Sequence, residues 1–176
     1  MLSKVLFVFL CLSVECCFAQ YHPVPDESTV RFSLKNFGFK TGGSLGAPEG
    51  DIIFNPDDPG KSSFRVTIKA ESINTDNESR DEHLKEESYF DVKNYPLIRF
   101  VSSSVKQSDK KGSYETTGTL TVKNKSKEIT MPFTAEKNGN GWTFSGSFKM
   151  NRRDYDVGGS STLSDEVTVE VKVVAR

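Results

Sequence analysis

The side chains able to hold or move charge gather in two short runs, Arg80-Asp81-Glu82-His83 and Arg152-Arg153-Asp154. A guanidinium is a planar fork that matches phosphate or carboxylate. If the two runs meet, Arg80, His83, Arg152 and Arg153 form a rim that could hold an anionic head group. The simpler reading is a set of ion pairs, Arg80 with Asp154 or Arg152 with Asp81, that fastens one segment of the chain to another.

Other reactive constellations are missing from the sequence. His22 and His83 are the two histidines, and His22 falls in an N-terminal tail expected to be loose. Two separated histidines with no nearby cysteine do not make a zinc site, so His83 reads as a residue that caps or packs at a rim. There is no phosphate loop or dinucleotide fingerprint. Glu82, Glu86 and Glu87 read as the wet face of a helix. No catalytic residue, metal ligand or cofactor is assigned, and no enzyme is expected.

The compartment follows from the first residues. Lys4 precedes an apolar run from Val5 to Leu12, and Cys17-Phe18-Ala19 offers a cleavage site ahead of Gln20. This is the pattern of a cleaved signal peptide over residues 1–19, with a single domain over 20–176. The apolar run is far shorter than the roughly 20 residues of a membrane span, so none is expected after cleavage. The expectation is an exported protein, periplasmic where the host has an outer membrane and otherwise secreted. All three cysteines (Cys11, Cys16, Cys17) lie in the signal, so the mature domain must be held by its core without disulfides. Lysines and arginines number 23 against 24 aspartates and glutamates. They are scattered, which gives no nucleic-acid footprint.

The elements that must position the arginines are mostly strands. Apolar residues alternate with polar ones at Val30, Phe32 and Leu34, and again at Phe64, Val66 and Ile68. The same period runs through Tyr114 to Val122, Ile129 to Ala135, Trp142 to Met150 and Val167 to Val173. Period two marks half-buried antiparallel strands. With shorter candidates at 40–45, 50–55 and 98–106, about eight or nine strands result, enough for a small barrel or a sandwich. Pro132 lacks a donor inside one of them and predicts an edge or a bulge.

One stretch, 72–96, reads as helix. Thr75 with Glu78, or Ser79 with Glu82, fits a capping box, and the Asn94-Tyr95-Pro96 turn ends the segment. With only Leu84, Tyr89 and Phe90 as apolar content, this helix is too polar for a core and reads as a lid over one end of the strands. The inner face combines aromatics with Gly118, Gly146, Ser102 and Ser104, which favours a barrel with a cavity over a filled sandwich. The residues expected to line that pore are Phe32, Leu34, Phe64, Val66, Leu84, Phe100, Trp142, Phe144 and Phe148. A ten-residue strand at a tilt of about 40° makes a barrel about 25 Å tall.

Several segments together resemble the YceI-like family. They are Gly50-Asp51-Ile52-Ile53-Phe54, Arg80-Asp81-Glu82-His83-Leu84, Tyr89-Phe90-Asp91, Tyr95-Pro96-Leu97-Ile98-Arg99-Phe100, Gly118-Thr119-Leu120-Thr121-Val122 and Asn151-Arg152-Arg153-Asp154-Tyr155. The resemblance covers about residues 21–176. It implies an all-β, lipocalin-like extended antiparallel barrel of about eight strands with one short lid helix. It also implies an exported carrier of a long-chain lipid such as a polyisoprenoid, an isoprenoid quinone or a polyprenyl phosphate. Two positions depart from the family pattern: Asn36 stands where many members carry histidine, and Asp156 where a glycine is frequent. A solid-cored interaction module and, below it, a lipid-modifying enzyme using His83 are the competing readings. Exposed edge strands would also permit a homodimer.

Overall fold

The computed structural model describes residues 19–159 and 162–176. The expected signal segment, apart from its last residue, lies outside them.

Ten antiparallel strands curl into one sheet. They are β1 (Gln20–Tyr21), β2 (Thr29–Asn36), β3 (Phe39–Leu45), β4 (Glu49–Ile53), β5 (Ser63–Lys69), β6 (Leu97–Gln107), β7 (Ser113–Val122), β8 (Lys125–Asn138), β9 (Gly141–Asn151) and β10 (Glu166–Ala175). The order around the sheet is β1-β4-β5-β6-β7-β8-β9-β10-β2-β3. β5 to β10 form a meander, and β2 crosses over to pair with β10. The strand added to the sequence expectation is β1, too short to show a period. Its neighbourhood closes the sheet: Gln20 and Tyr21 pair with Ile53 and Ile52, while His22 exchanges backbone bonds of 2.9 and 3.0 Å with Arg176. His22 therefore lies in a paired backbone segment, not in a loose tail.

The single α-helix among the described residues, α1 (Glu78–Lys85), sits in the long β5–β6 connection. Its cap is Asn77, whose side chain accepts from the Arg80 amide, instead of Thr75 or Ser79. Thr75 is used elsewhere, as described below. Asn competes well for such a position because its short carbonyl reaches the N3 amide.

Two irregularities shape the wall. A bulge between Ser102 and Ser104 of β6 changes the alternation, so Val105 is buried where Ser104 was expected to face inward. Pro132 stands where the β8–β9 ladder ends. Pairing runs from Phe133↔Gly146 to Asn138↔Gly141, and beyond it β8 pairs only with β7 while β9 pairs only with β10. A residue without an N–H cannot extend a ladder. The result is a seam in the wall between the first half of β8 and the second half of β9.

The interior divides into two zones. At the end opposite α1, aromatic rings meet edge to face around Phe54, whose centroid lies 5.1 Å from Tyr114, 5.0 Å from Trp142 and 5.2 Å from Phe144. Phe64 joins through Phe133 at 5.5 Å and Phe144 at 5.6 Å. Such geometry suits the ring quadrupoles and fills space without gaps. Toward α1 the inward residues become aliphatic, and the interior opens.

Candidate ligand cavity and its rim

The opening is a cavity of about 250 Å³ walled by the inward rows of the strands. β10 supplies Val167, Val169, Val171 and Val173, β7 supplies Leu120 and Val122, and β5 and β6 supply Val66, Ile68, Ile98 and Phe100. Ile129 and Met131 of β8 face Phe148 and Met150 of β9 across the seam and line the same space. Branched aliphatics leave this space because they are too short to meet across the barrel, whereas the rings at the other end are long enough to touch. Val167 to Val173 spans six residue steps, about 20 Å along the strand and about 15 Å along a barrel axis tilted by about 40°. The hollow part is thus shorter than the barrel.

Six of the nine residues expected to line a pore stand on this cavity: Phe32, Leu34, Val66, Leu84, Phe100 and Phe148. Phe64, Trp142 and Phe144 do not; they belong to the packed aromatic cluster. Aromatic content was the wrong marker for hollowness, because large rings from facing strands meet and close the space they enter.

The lid end is built by α1 and its flanks. Ile73, Leu84, Tyr89 and Phe90 reach the cavity from this connection. The connection is held close to β3 by two backbone bonds between Ser44 and Asn74, of 2.8 and 2.9 Å. Gly43 permits this approach, since a Cβ there would meet the Asn74 carbonyl oxygen at 2.3 Å. On the other side the Gly158 amide donates to the Ser88 carbonyl at 2.8 Å. Lys123 Nζ donates to the carbonyls of Glu87 and Asp156 at 3.0 and 3.3 Å.

The two arginine runs both reach this end but do different work. Arg152 is buried, 3% exposed. Its Nη1 donates to the carbonyls of Val157 at 2.8 Å and Gly158 at 2.6 Å. Nη2 donates to the Leu163 carbonyl and to Asp165, and Nε to the Ser164 carbonyl. Its fork is spent on the β9–β10 connection. Arg153 is exposed and donates from Nε to the same Asp165 oxygen at 2.8 Å. This bond, helped by the nearby Arg152 charge, holds the Asp165 carboxyl below the usual carboxylate range.

Arg80 lines the cavity and is fixed by Thr75. Nε donates to Thr75 Oγ1 at 2.8 Å and Nη2 to the Thr75 carbonyl at 2.6 Å. Thr75 in turn donates its amide and hydroxyl to Asp81 Oδ1. Arg80 is itself exposed, and its Nη1 has no bond to a described residue, so one prong of the fork is left uncommitted. The expected pairs of Arg80 with Asp154 and Arg152 with Asp81 do not form, because each arginine finds partners within its own connection. His83 lies off the cavity, exposed, 3.1 Å from Glu86 Oε2 and edge-on to Tyr89.

The two departures from the family pattern also lie here. Asn36 accepts from the Thr162 hydroxyl at 2.8 Å beside the cavity residue Leu163. Asp156 sits at φ +53° and ψ +38°, a left-handed position that glycine tolerates freely and aspartate better than most residues.

Among the described residues, no group of three or more His, Cys, Asp or Glu side chains gathers as a metal site, and no helix is long and apolar enough to cross a membrane. What the fold and cavity define is a curled antiparallel half-barrel with an apolar interior, covered at one end by a helix-bearing connection. The YceI-like domain matches residues 21–175, and the chain belongs to that family. A UPF0312 protein of Pseudomonas syringae pv. tomato is 29% identical over 156 residues, covering 82% of this chain and 81% of the relative. The crystal structure of BcnA from Burkholderia cenocepacia superposes with a TM-score of 0.83 at 28% identity, covering 88% of this chain and 99% of that one. A polyisoprenoid binding domain from Saccharophagus degradans, implicated in plant cell wall breakdown, shares the fold with a TM-score of 0.70 at 11% identity, over 91% of this chain and 99% of that one.

Proposed function

We propose that this protein is an exported, non-enzymatic carrier of a long-chain isoprenoid lipid, with the chain in the cavity and the head group at Arg80. The observation that carries the reading is the cavity itself: apolar rows on every side, with Arg80, one prong of its fork uncommitted, in its lining. A solid-cored interaction module would have no use for such a space. The polyisoprenoid-binding domain with the same fold supports the ligand class. Export rests on the signal-like residues 1–19.

Energetics favour a long ligand. Each buried methylene contributes about 0.8 kcal/mol gross, so about ten give roughly 8 kcal/mol. Association removes several kcal/mol, and micromolar affinity needs about 8 net. A useful carrier must therefore bury more than about ten carbons. A cavity of about 250 Å³ lies near the small end of ligand sites, which run from about 300 to 1,000 Å³. It would enclose one portion of a polyprenyl chain, the remainder folding back or leaving by the seam between β8 and β9. Isoprenoid quinones and polyprenyl phosphates are the two head-group classes to try.

Native mass spectrometry of gently purified mature protein tests the proposal. Copurification or uptake of one quinone or prenyl phosphate per chain is expected. Recovery free of lipid, with no uptake of either class, would remove carriage.

A further inference from the structure

The β2–β3 hairpin ends beside the β9–β10 connection, and its tip makes little sense as part of a folded domain alone. Register pairs Asn36 with Phe39, leaving Phe37 and Gly38 as a two-residue turn with φ of +48° and +85°. Positive φ at both positions is the type I′ geometry, for which Asn-Gly is the favoured pair and a bulky aromatic is an outlier. Phe37 is 74% exposed and Phe39 80% exposed. Burial therefore does not explain them. Behind the rings, Lys35 and Lys40 stand directly opposite each other. Like charges so placed destabilise a strand pair. Neither lysine has an ion-pair partner among the described residues.

These features oppose folding and suit one partner. We infer that the hairpin tip docks the protein on an anionic lipid bilayer, with the Phe37 and Phe39 rings entering the acyl boundary and Lys35 and Lys40 meeting head groups. Aromatic side chains favour that boundary, and nearby lysines are attracted to anionic surfaces. Charge selects the bilayer over an apolar protein groove, because the 35–40 segment carries two positive charges and no acidic residue.

The tip is held firmly. The Ser164 amide donates to the Lys35 carbonyl at 2.7 Å, and Thr162 to Asn36 at 2.8 Å. Phe39 also lies on the same face of the hairpin as the Leu34–Thr41 pair, both members of which line the cavity. Docking therefore sets the inner row of the barrel against the bilayer, continuous with Phe39. The inference goes beyond carriage and does not require it.

The test is cosedimentation of the mature chain with phosphatidylcholine vesicles, with and without phosphatidylglycerol. The variant Phe37→Asn/Phe39→Thr restores good turn and strand residues, so it keeps or improves the fold while removing the rings. Wild type is expected to bind the anionic vesicles, and this variant to bind at least about tenfold more weakly. Lys35→Ser/Lys40→Ser is expected to lose about tenfold on anionic vesicles, with no change on neutral ones. Equal binding by wild type and the aromatic variant would overturn docking. So would self-association abolished by that variant without vesicle binding, which would assign the tip to a second copy. Uptake of isoprenoid quinone and of polyprenyl phosphate from detergent, measured on the same proteins, separates the two proposals. Uptake of either without vesicle binding removes docking alone, and vesicle binding without uptake of either supports docking and removes carriage.

Discussion

Truncating Phe54 and Phe148 in parallel measures how the interior is divided. Phe54 is 4% exposed, and its ring meets Tyr114, Trp142 and Phe144 edge to face within 5.2 Å. Phe54→Ala should cost about 4 kcal/mol, since a fully packed phenylalanine loses its transfer energy and leaves a cavity that its neighbours cannot fill. Each favourable ring pair adds about 0.5–1.5 kcal/mol to that packing, so the cost should not fall below the middle of the usual range of about 3–5 kcal/mol. Phe148 is half-buried and faces the cavity. Its truncation enlarges an existing space and forfeits only part of its contacts, which gives about 1–2 kcal/mol at about 25 cal/mol per Å² of apolar area. Against a total stability of about 5–15 kcal/mol, the first variant should be visibly crippled and the second mild. Urea melts of the lipid-free proteins supply both numbers, with unchanged m-values as the check on two-state behaviour. Equal costs would refute the division, because they would mean that the end under α1 is packed as tightly as the aromatic end.

Four further outcomes follow from the rim and its surroundings. Arg80→Met should weaken a prenyl phosphate about tenfold, the scale of one charged hydrogen bond, and leave an uncharged quinone within about twofold, as read by competition binding. Arg152→Ala should destabilise by about 3 kcal/mol by stranding the carbonyls it serves, and hydrogen exchange should rise through 157–165 ahead of the sheet. Asp165 has a lowered folded pKa, so its contribution is present above its unfolded value of 3.8 and is lost as pH falls through the folded one. Asp165→Asn should accordingly flatten the acid limb of stability below about pH 4. Burial pushes the Tyr155 hydroxyl up to about 12 from 10.0, and it finds no hydrogen-bond partner among the described residues. Wild type should lose stability between those two pH values as the unfolded chain ionises first, whereas Tyr155→Phe should lose less there, and should gain about 1 kcal/mol at neutral pH.

Much of this architecture was legible in residue order. Period-two alternation located β2, β5 and β7 to β10, shorter candidate runs located β3, β4 and β6, and the polar 72–96 stretch marked the lid, because half-buried strands and short capped helices leave local patterns. Pro132, read as an edge or a bulge from its missing donor, stands where the β8–β9 ladder ends. What lay hidden depended on distances across the barrel. Alternation places Phe144 and Phe148 on the same face, but it does not say that one meets Phe54 while the other faces open space. Phe54 itself sits just past the end of β4, where no period remains to flag it. The bulge at Ser102 and Ser104 reversed the face of Val105 without any glycine to signal it. The partners of Arg80 and Arg152 were local carbonyls and a threonine besides Asp165, and ion-pair reasoning from charge alone passes over all but the last.

The central claim is that a prenyl chain occupies the aliphatic half of the barrel. Photocrosslinking with a diazirine placed along an isoprenoid quinone chain, followed by peptide mapping, tests it most directly. The account predicts adducts on β7 and β10, at Leu120 and along Val167 to Val173, and none on Phe54 or Phe144. Adducts confined to the outer surface, or spread evenly through the aromatic cluster, would contradict it.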